Sequence, residues 1–126
     1  MYKRQVECTV DETTGEELTP LAHSSSQRVF AEQTAEKLQE LLAGVVAEGT
    51  GRQAAPSEGT AAGKTGTAQT GQFRDGEELK NYWFAGFYPA EKPRWTIVVM
   101  QDAQTEPEVS SAAVFARLCD ALSAGE

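Results

Sequence analysis

Residues 59–71 read GTAAGKTGTAQTG, with one lysine set among glycines, alanines and hydroxyl side chains. Lys64, Thr65, Gly66 and Thr67 are the residues whose types and spacing can do chemistry. In a strand, side chains alternate between faces, so Lys64 points one way and Thr65 the other, with local twist deciding reach. Gly66 has no side chain to hold a ligand backbone off. A cation, two hydroxyls and a bare strand edge suit a ligand that carries a carboxylate and a peptide-like amide. The edge can pair with such a ligand by strand addition. The Thr67 backbone N–H can receive the oxyanion of an acyl transfer.

Two other readings compete. A phosphate-cradling loop needs G-x-x-x-x-G-K-[ST] and a helix directly after it. GTAAGKT has only three residues between Gly59 and Gly63, and Glu58 stands where the glycine should be. GTAQTGQF is a poor helix opening, with Gly66 and Gly71 close together. A flexible connector gives no meaning to a lysine between Gly63 and Thr65, and leaves the strand-like segments that follow unexplained.

A working strand must be held in a sheet. Asp75-Gly76 marks a turn after it. NYWFAGFYP (81–89) is aromatic-rich. RWTIVVMQDA (94–103) is β-branched and nearly continuous, which predicts a strand that is central or buried on both faces. The short AEKP between them implies an antiparallel pair. Upstream, a helix is expected over residues 31–48. Leu38, Leu41, Leu42, Val45 and Val46 make its apolar face, and Gly49 is a natural stop. Downstream, a helix is expected over about 106–122. Thr105 and Glu108 form a capping box with Pro107 in the first turn, and Val114, Phe115, Leu118, Cys119 and Leu122 form the stripe. Residues 4–22 read as a hairpin around Gly15, with Pro20 limiting its second strand to an edge. The serine run 24–26 reads as a loop. The order predicts an α+β fold, an antiparallel sheet flanked by helices.

Composition narrows the function classes. The chain has 126 residues, 40% hydrophobic and 24% charged, with net charge −8. That is a globular composition. The acidic balance argues against nucleic acid, whose phosphates need clustered Lys and Arg. Cys8 and Cys119 are far apart and in no metal or redox spacing. His23 is alone in a polar run, so no metal site is expected. No apolar run is long enough to span a membrane, and the start has no signal-peptide core.

GKTGTAQTG resembles the K-T-G element of penicillin-binding proteins and serine β-lactamases. The surrounding order is similar as well. LLAGVVAEGTG, AAGKTGTAQTG, WFAGFYPAEKPRWTIVVMQDA and a last helix follow the C-terminal part of class B penicillin-binding transpeptidases, over residues 38–122. The resemblance implies a partial β-lactamase/transpeptidase-like fold, with residues 1–126 as the C-terminal fragment of one transpeptidase domain. It puts the K-T-G strand at 63–68 and the final sheet strands and helix at 79–123. It also implies roles. Lys64 tunes the catalytic hydrogen-bond network and attracts the substrate's terminal carboxylate. Thr65 hydrogen-bonds that carboxylate, with the Thr67 hydroxyl as a second contact. The Thr67 N–H supplies half of an oxyanion hole, and Gly66 keeps the strand open to the acyl donor.

The family's serine nucleophile belongs to S-x-x-K, and no such pattern occurs here. Ser24, Ser25 and Ser26 are followed three residues on by Gln27, Arg28 and Val29. S-x-N is absent too, because the only asparagine, Asn81, has Leu79 two positions before it. Without nucleophile and base there is no covalent catalysis. Met1 is therefore read as a fragmentary start, and the chain is expected to be inactive alone. The parent is expected to be a peptidoglycan D,D-transpeptidase acting on D-alanyl-D-alanine stem peptides through an acyl-serine and blocked by β-lactams. Its expected partners are those peptides, β-lactams and the missing N-terminal part of the domain, with no cofactor. A membrane-anchored parent with its catalytic domain outside the cytoplasm is implied. The alternatives are a non-catalytic β-lactam-sensor or scaffold module and a phosphate-loop nucleotide binder. By itself the chain is expected to take no covalent label from a fluorescent penicillin. A label that survives denaturing electrophoresis and maps to Ser24, Ser25 or Ser26 overturns the fragment reading.

Overall fold

The computed structural model describes residues 8–20 and 28–125. Its elements are β1 (Cys8–Val10), β2 (Glu17–Pro20), α1 (Glu32–Ala47), a 3-10 turn (Arg52–Ala54), β3 (Ala62–Arg74), β4 (Glu77–Tyr88), β5 (Trp95–Gln104) and α2 (Ser111–Ala124). The chain divides into two compact units, Met1–Ala35 and Glu36–Glu126. His23, the serine run and residues 4–7 of the expected hairpin lie outside the described residues.

In the first unit, β1 and β2 pair antiparallel, Cys8 opposite Pro20. Their turn is closed by a side chain. Asp11 Oδ1 accepts the N–H groups of Thr13 (2.8 Å) and Thr14 (2.9 Å). These donors hold the Asp11 carboxyl below its ordinary range. The hairpin expected around Gly15 is present within the described residues.

In the second unit, three antiparallel strands lie in the order β3-β4-β5. Asp75 and Gly76 join β3 to β4 with left-handed backbone, φ 53° and 87°. That pair of angles is what a two-residue hairpin turn requires, and Asp-Gly supplies it at low cost. Alternation along β4 then decides the packing. Tyr82, Phe84, Gly86 and Tyr88 share one face, and Trp83, Ala85 and Phe87 the other. Phe84 meets Phe115 of α2 with ring centroids 4.7 Å apart and planes tilted 55°. Val46, Ala54, Ala61, Tyr88, Ala112 and Cys119 are buried with them, and Trp95, Ile97 and Val99 of β5 pack against the cluster. Burying a Phe side chain fully contributes about 2–3 kcal/mol, so Phe84 and Phe115, both wholly buried, dominate this small core.

The fold class is α+β as expected, but three details differ. First, β5 is neither central nor covered on both sides. It is an outer strand of the described sheet, and its burial alternates residue by residue. Val98 is 58% exposed and Met100 45%. A continuous apolar run reports that both faces favour burial, not that both are buried in this chain. Second, only part of the α1 stripe is covered. Val46 is buried, whereas Leu38 is 46% and Leu41 60% exposed.

Third, α2 starts at Ser111 rather than near Glu106, and Thr105–Glu108 is not its capping box. Ser110 is the N-cap, its Oγ accepting the Ala113 N–H at 3.1 Å. The sheet holds the preceding residues out of the helix. Tyr82 Oη donates to the Thr105 carbonyl (2.7 Å), and Gln101 Nε2 donates to the Val109 carbonyl (2.8 Å). Residues 105–109 are thus strapped to β4 and β5, and tertiary hydrogen bonds override a good local signal. Ser110→Ala is expected to lower stability by about 1 kcal/mol, while Thr105→Ala and Glu108→Ala each change it by less than about 0.5 kcal/mol. Urea midpoints of the three variants check this, and a larger loss at Thr105 than at Ser110 would return the cap to Thr105.

Candidate functional site

The four residues singled out from sequence all lie on β3, the other outer strand of the described sheet. An outer strand leaves alternate backbone N–H and C=O groups unused on its free side. Register assigns the faces. Lys64 opposes Ala85 and Gly66 opposes Trp83, while Thr65 opposes Phe84 and Thr67 opposes Tyr82. Thr65 therefore leans toward the packed side, and Lys64 and Gly66 toward the open one.

The lysine does not stay on its own face. Lys64 Nζ curls along the strand edge and donates to the Thr65 carbonyl (2.9 Å) and to Thr65 Oγ1 (3.0 Å). A four-carbon stem on an outer strand has the reach to do this. The structure thus brings Lys64 and Thr65 together at one point. Among the described residues no carboxylate lies within ion-pair distance of Lys64, in contrast to Lys37, which pairs with Glu40 at 2.7 Å. The ammonium is exposed, satisfied by neutral oxygens and not neutralised. That arrangement favours an incoming anion.

Two glycines set the strand's position. A Cβ on Gly63 would come within 2.6 Å of the Phe84 ring and 2.7 Å of the Ala85 carbonyl oxygen. Gly63 is therefore a packing requirement that seats the strand on its neighbour. Gly66 differs. A Cβ there would touch only Trp83, at 3.4 Å. The sheet has room for a side chain at Gly66, so packing alone does not call for a glycine there. Thr67 follows with its side chain exposed.

One neighbour was not singled out from sequence. Thr50, in the turn after α1, brings its hydroxyl to 3.4 Å from Thr65 Oγ1. The signal was present as Gly49-Thr50-Gly51, a hydroxyl held between two glycines, but no motif in the sequence pointed to it. Cys119 can be set aside. It is wholly buried, and burial pushes its thiol up to about 11, so it stays protonated at neutral pH and is no nucleophile. Two shallow hollows, ≈ 300 Å³ beside Val46, Arg52 and Pro56 and ≈ 250 Å³ beside Ser57, Asp120 and Ser123, lie away from Lys64. Neither hollow is lined by Lys64, Thr65, Gly66 or Thr67. Among the described residues no cluster of His, Cys, Asp and Glu could hold a metal ion, and no helix is long and apolar enough to cross a membrane.

Known proteins resemble this chain in sequence and in architecture. A family model described as the penicillin binding protein transpeptidase domain matches residues 8–120. Stage V sporulation protein D of Bacillus subtilis (strain 168) is 35% identical over 96 residues, covering 74% of this chain and 15% of its own length. Penicillin-binding protein PbpB of Mycolicibacterium smegmatis is 40% identical over 90 residues, covering 60% of this chain and 13% of its own length. The chain thus spans a minor part of either relative. Among solved structures, the transpeptidase domain of Burkholderia pseudomallei penicillin-binding protein 3 superposes with TM-score 0.68 at 29% identity, covering 81% of this chain and 33% of that one. The D,D-transpeptidase domain of an Eggerthella lenta peptidoglycan glycosyltransferase gives TM-score 0.63 at 28% identity, covering 94% and 27%.

The two strand glycines should separate cleanly on substitution. Gly63→Ala is expected to cost about 1–3 kcal/mol through overpacking against Phe84, whereas Gly66→Ala changes stability by less than about 1 kcal/mol. Chemical denaturation of both variants decides it. Equal losses would mean that Gly66 is also a packing glycine.

Proposed function

Because the chain belongs to the penicillin-binding protein transpeptidase family, we propose that it is the C-terminal portion of a D,D-transpeptidase domain and that β3 is its substrate-binding strand. One observation carries this: the Lys64 ammonium, which has no ion-pair partner among the described residues, donates to the Thr65 hydroxyl on an outer strand, beside a glycine where an added Cβ would meet only Trp83. The substrate class is a stem peptide ending in D-alanyl-D-alanine, or a β-lactam in its place.

In this reading the terminal carboxylate docks against Lys64 and the Thr65 hydroxyl, with the Thr67 hydroxyl beside it. The peptide pairs with the free edge of β3 by strand addition. Gly66 lets its backbone come close. The scissile carbonyl then lies near the Thr67 N–H, which stabilises the oxyanion as an acyl-serine forms. The serine, its lysine partner and the S-x-N element belong to the remainder of the domain, outside these 126 residues. The exposed Leu38, Leu41, Val98 and Met100 fit surfaces that this remainder covers. The complete protein is proposed to work in cell-wall synthesis, anchored to the membrane with this domain outside the cytoplasm.

The test uses the complete protein and the second-order rate constant for acylation by penicillin, read beside a thermal melt. Lys64→Ala removes the cation and leaves the strand, so acylation is expected to fall about 10²–10³-fold, the size seen on losing a single oxyanion donor. Lys64→Arg should also be poor, because a planar guanidinium does not replace a compact ammonium. Both should melt like the wild type, since neither opens a core cavity. Acylation of Lys64→Ala at the wild-type rate with an unchanged melt makes Lys64 a bystander and removes the assignment.

A further inference from the structure

Thr50 is held by a tight turn between two glycines. The N–H groups of Gly49 and Gly51 both land on one carbonyl, that of Val45, at 3.1 and 3.0 Å. A Cβ on Gly49 would lie 2.9 Å from that oxygen and 3.0 Å from Val45 Cα. A Cβ on Gly51 would lie 3.1 Å from Val45 Cγ1, 3.2 Å from the same oxygen and 3.4 Å from the Phe84 ring. Neither flanking position has comfortable room for a side chain. The turn therefore projects one side chain, Thr50, and aims it at Thr65.

Hydrogen-bond counting at Thr65 gives this placement a meaning. Its hydroxyl oxygen has one proton and two lone pairs. Lys64 can only donate, so it takes one lone pair. If Thr50 donates to the second, the Thr65 proton has no acceptor within the strand and must point outward. If Thr50 accepts instead, that proton is spent inward. Only the first arrangement offers a carboxylate both the Lys64 ammonium and a free O–H.

We propose that Thr50 is a positioning residue of the carboxylate site: its hydroxyl donates to Thr65 Oγ1 and so directs the Thr65 proton at the carboxylate of the acyl donor. This rests on the function proposed above and deepens it. At 3.4 Å the Thr50–Thr65 contact is longer than a relaxed O–H···O bond. An anion drawing on the Thr65 proton makes its oxygen a better acceptor, so the contact tightens when the site is filled.

The experiment compares acylation of the complete protein by penicillin and by its carboxylate methyl ester, in wild type, Thr50→Val and Thr50→Ser. Valine keeps the branched shape and loses the hydroxyl, while serine keeps the hydroxyl. Thr50→Val is expected to slow acylation by the free acid about tenfold, the scale of a hydrogen bond to a charged group, and to leave the ester rate within about twofold. Thr50→Ser should restore most of the free-acid rate. An unchanged free-acid rate in Thr50→Val overturns the proposal. So does an equal loss on acid and ester, which marks a structural role, and so does failure of serine to rescue. The reading beneath fails by a different result: a wild-type protein that is not acylated, or that takes acid and ester equally, overturns both.

Discussion

The Phe84 ring fixes most of what this chain does. It lies wholly buried against Phe115, and backbone closes over it from three directions. Gly63 on β3, Gly86 on β4 and Gly51 in the turn after α1 all come so near that a Cβ would meet its ring at 2.6, 2.9 and 3.4 Å respectively. A large rigid aromatic contributes more buried area than any other residue type of the core. Here it also acts as a ruler, because each glycine lets its segment settle at van der Waals distance from one ring. The strand that carries Lys64 and the turn that carries Thr50 are thereby referenced to the same side chain.

That common reference makes an open site possible. Lys64, Thr65 and Thr67 lie on an outer strand and line none of the concavities described here. An outer strand must be held from behind if it is to present donors within a few tenths of an ångström. The backing is supplied by the Phe84–Phe115 contact, and by the strap over residues 105–109 that Tyr82 and Gln101 pin to β4 and β5. Ser111 completes this backing. Its Oγ lies 2.9 Å from the Tyr82 carbonyl and 2.8 Å from Gln101 Oε1, which ties the first turn of α2 to both strands.

The same geometry leaves apolar side chains exposed among the described residues. β5 offers Val98 and Met100 to solvent, and α1 offers Leu38 and Leu41. Apolar side chains clustered on one strand face and one helix stripe mark surfaces made for contact. The family model covers nearly the whole chain, while the chain covers a small share of the relatives it matches.

By itself the sequence determined the elements whose signals are local. Asp75-Gly76 specified the hairpin, aromatic and β-branched runs specified β4 and β5, and the 3.6-residue spacing of Leu38 to Val46 specified α1. It also placed Lys64, Thr65, Gly66 and Thr67 on one strand, because a cation and hydroxyls around a bare glycine read as an exposed edge. Three things were decided by the tertiary structure. The start of α2 moved from Thr105 to Ser110, because the carbonyls at 105 and 109 are claimed by Tyr82 of β4 and Gln101 of β5, contacts that form only once the sheet is folded. β5 is an outer strand of the described sheet, because apolar continuity reports a preference for burial and not what is present to bury it. Thr50 joined Thr65, 15 residues later, because only the packing of both segments on Phe84 brings two distant hydroxyls within reach. Local free energies are written along the chain, while contacts between distant segments exist only after the core has formed.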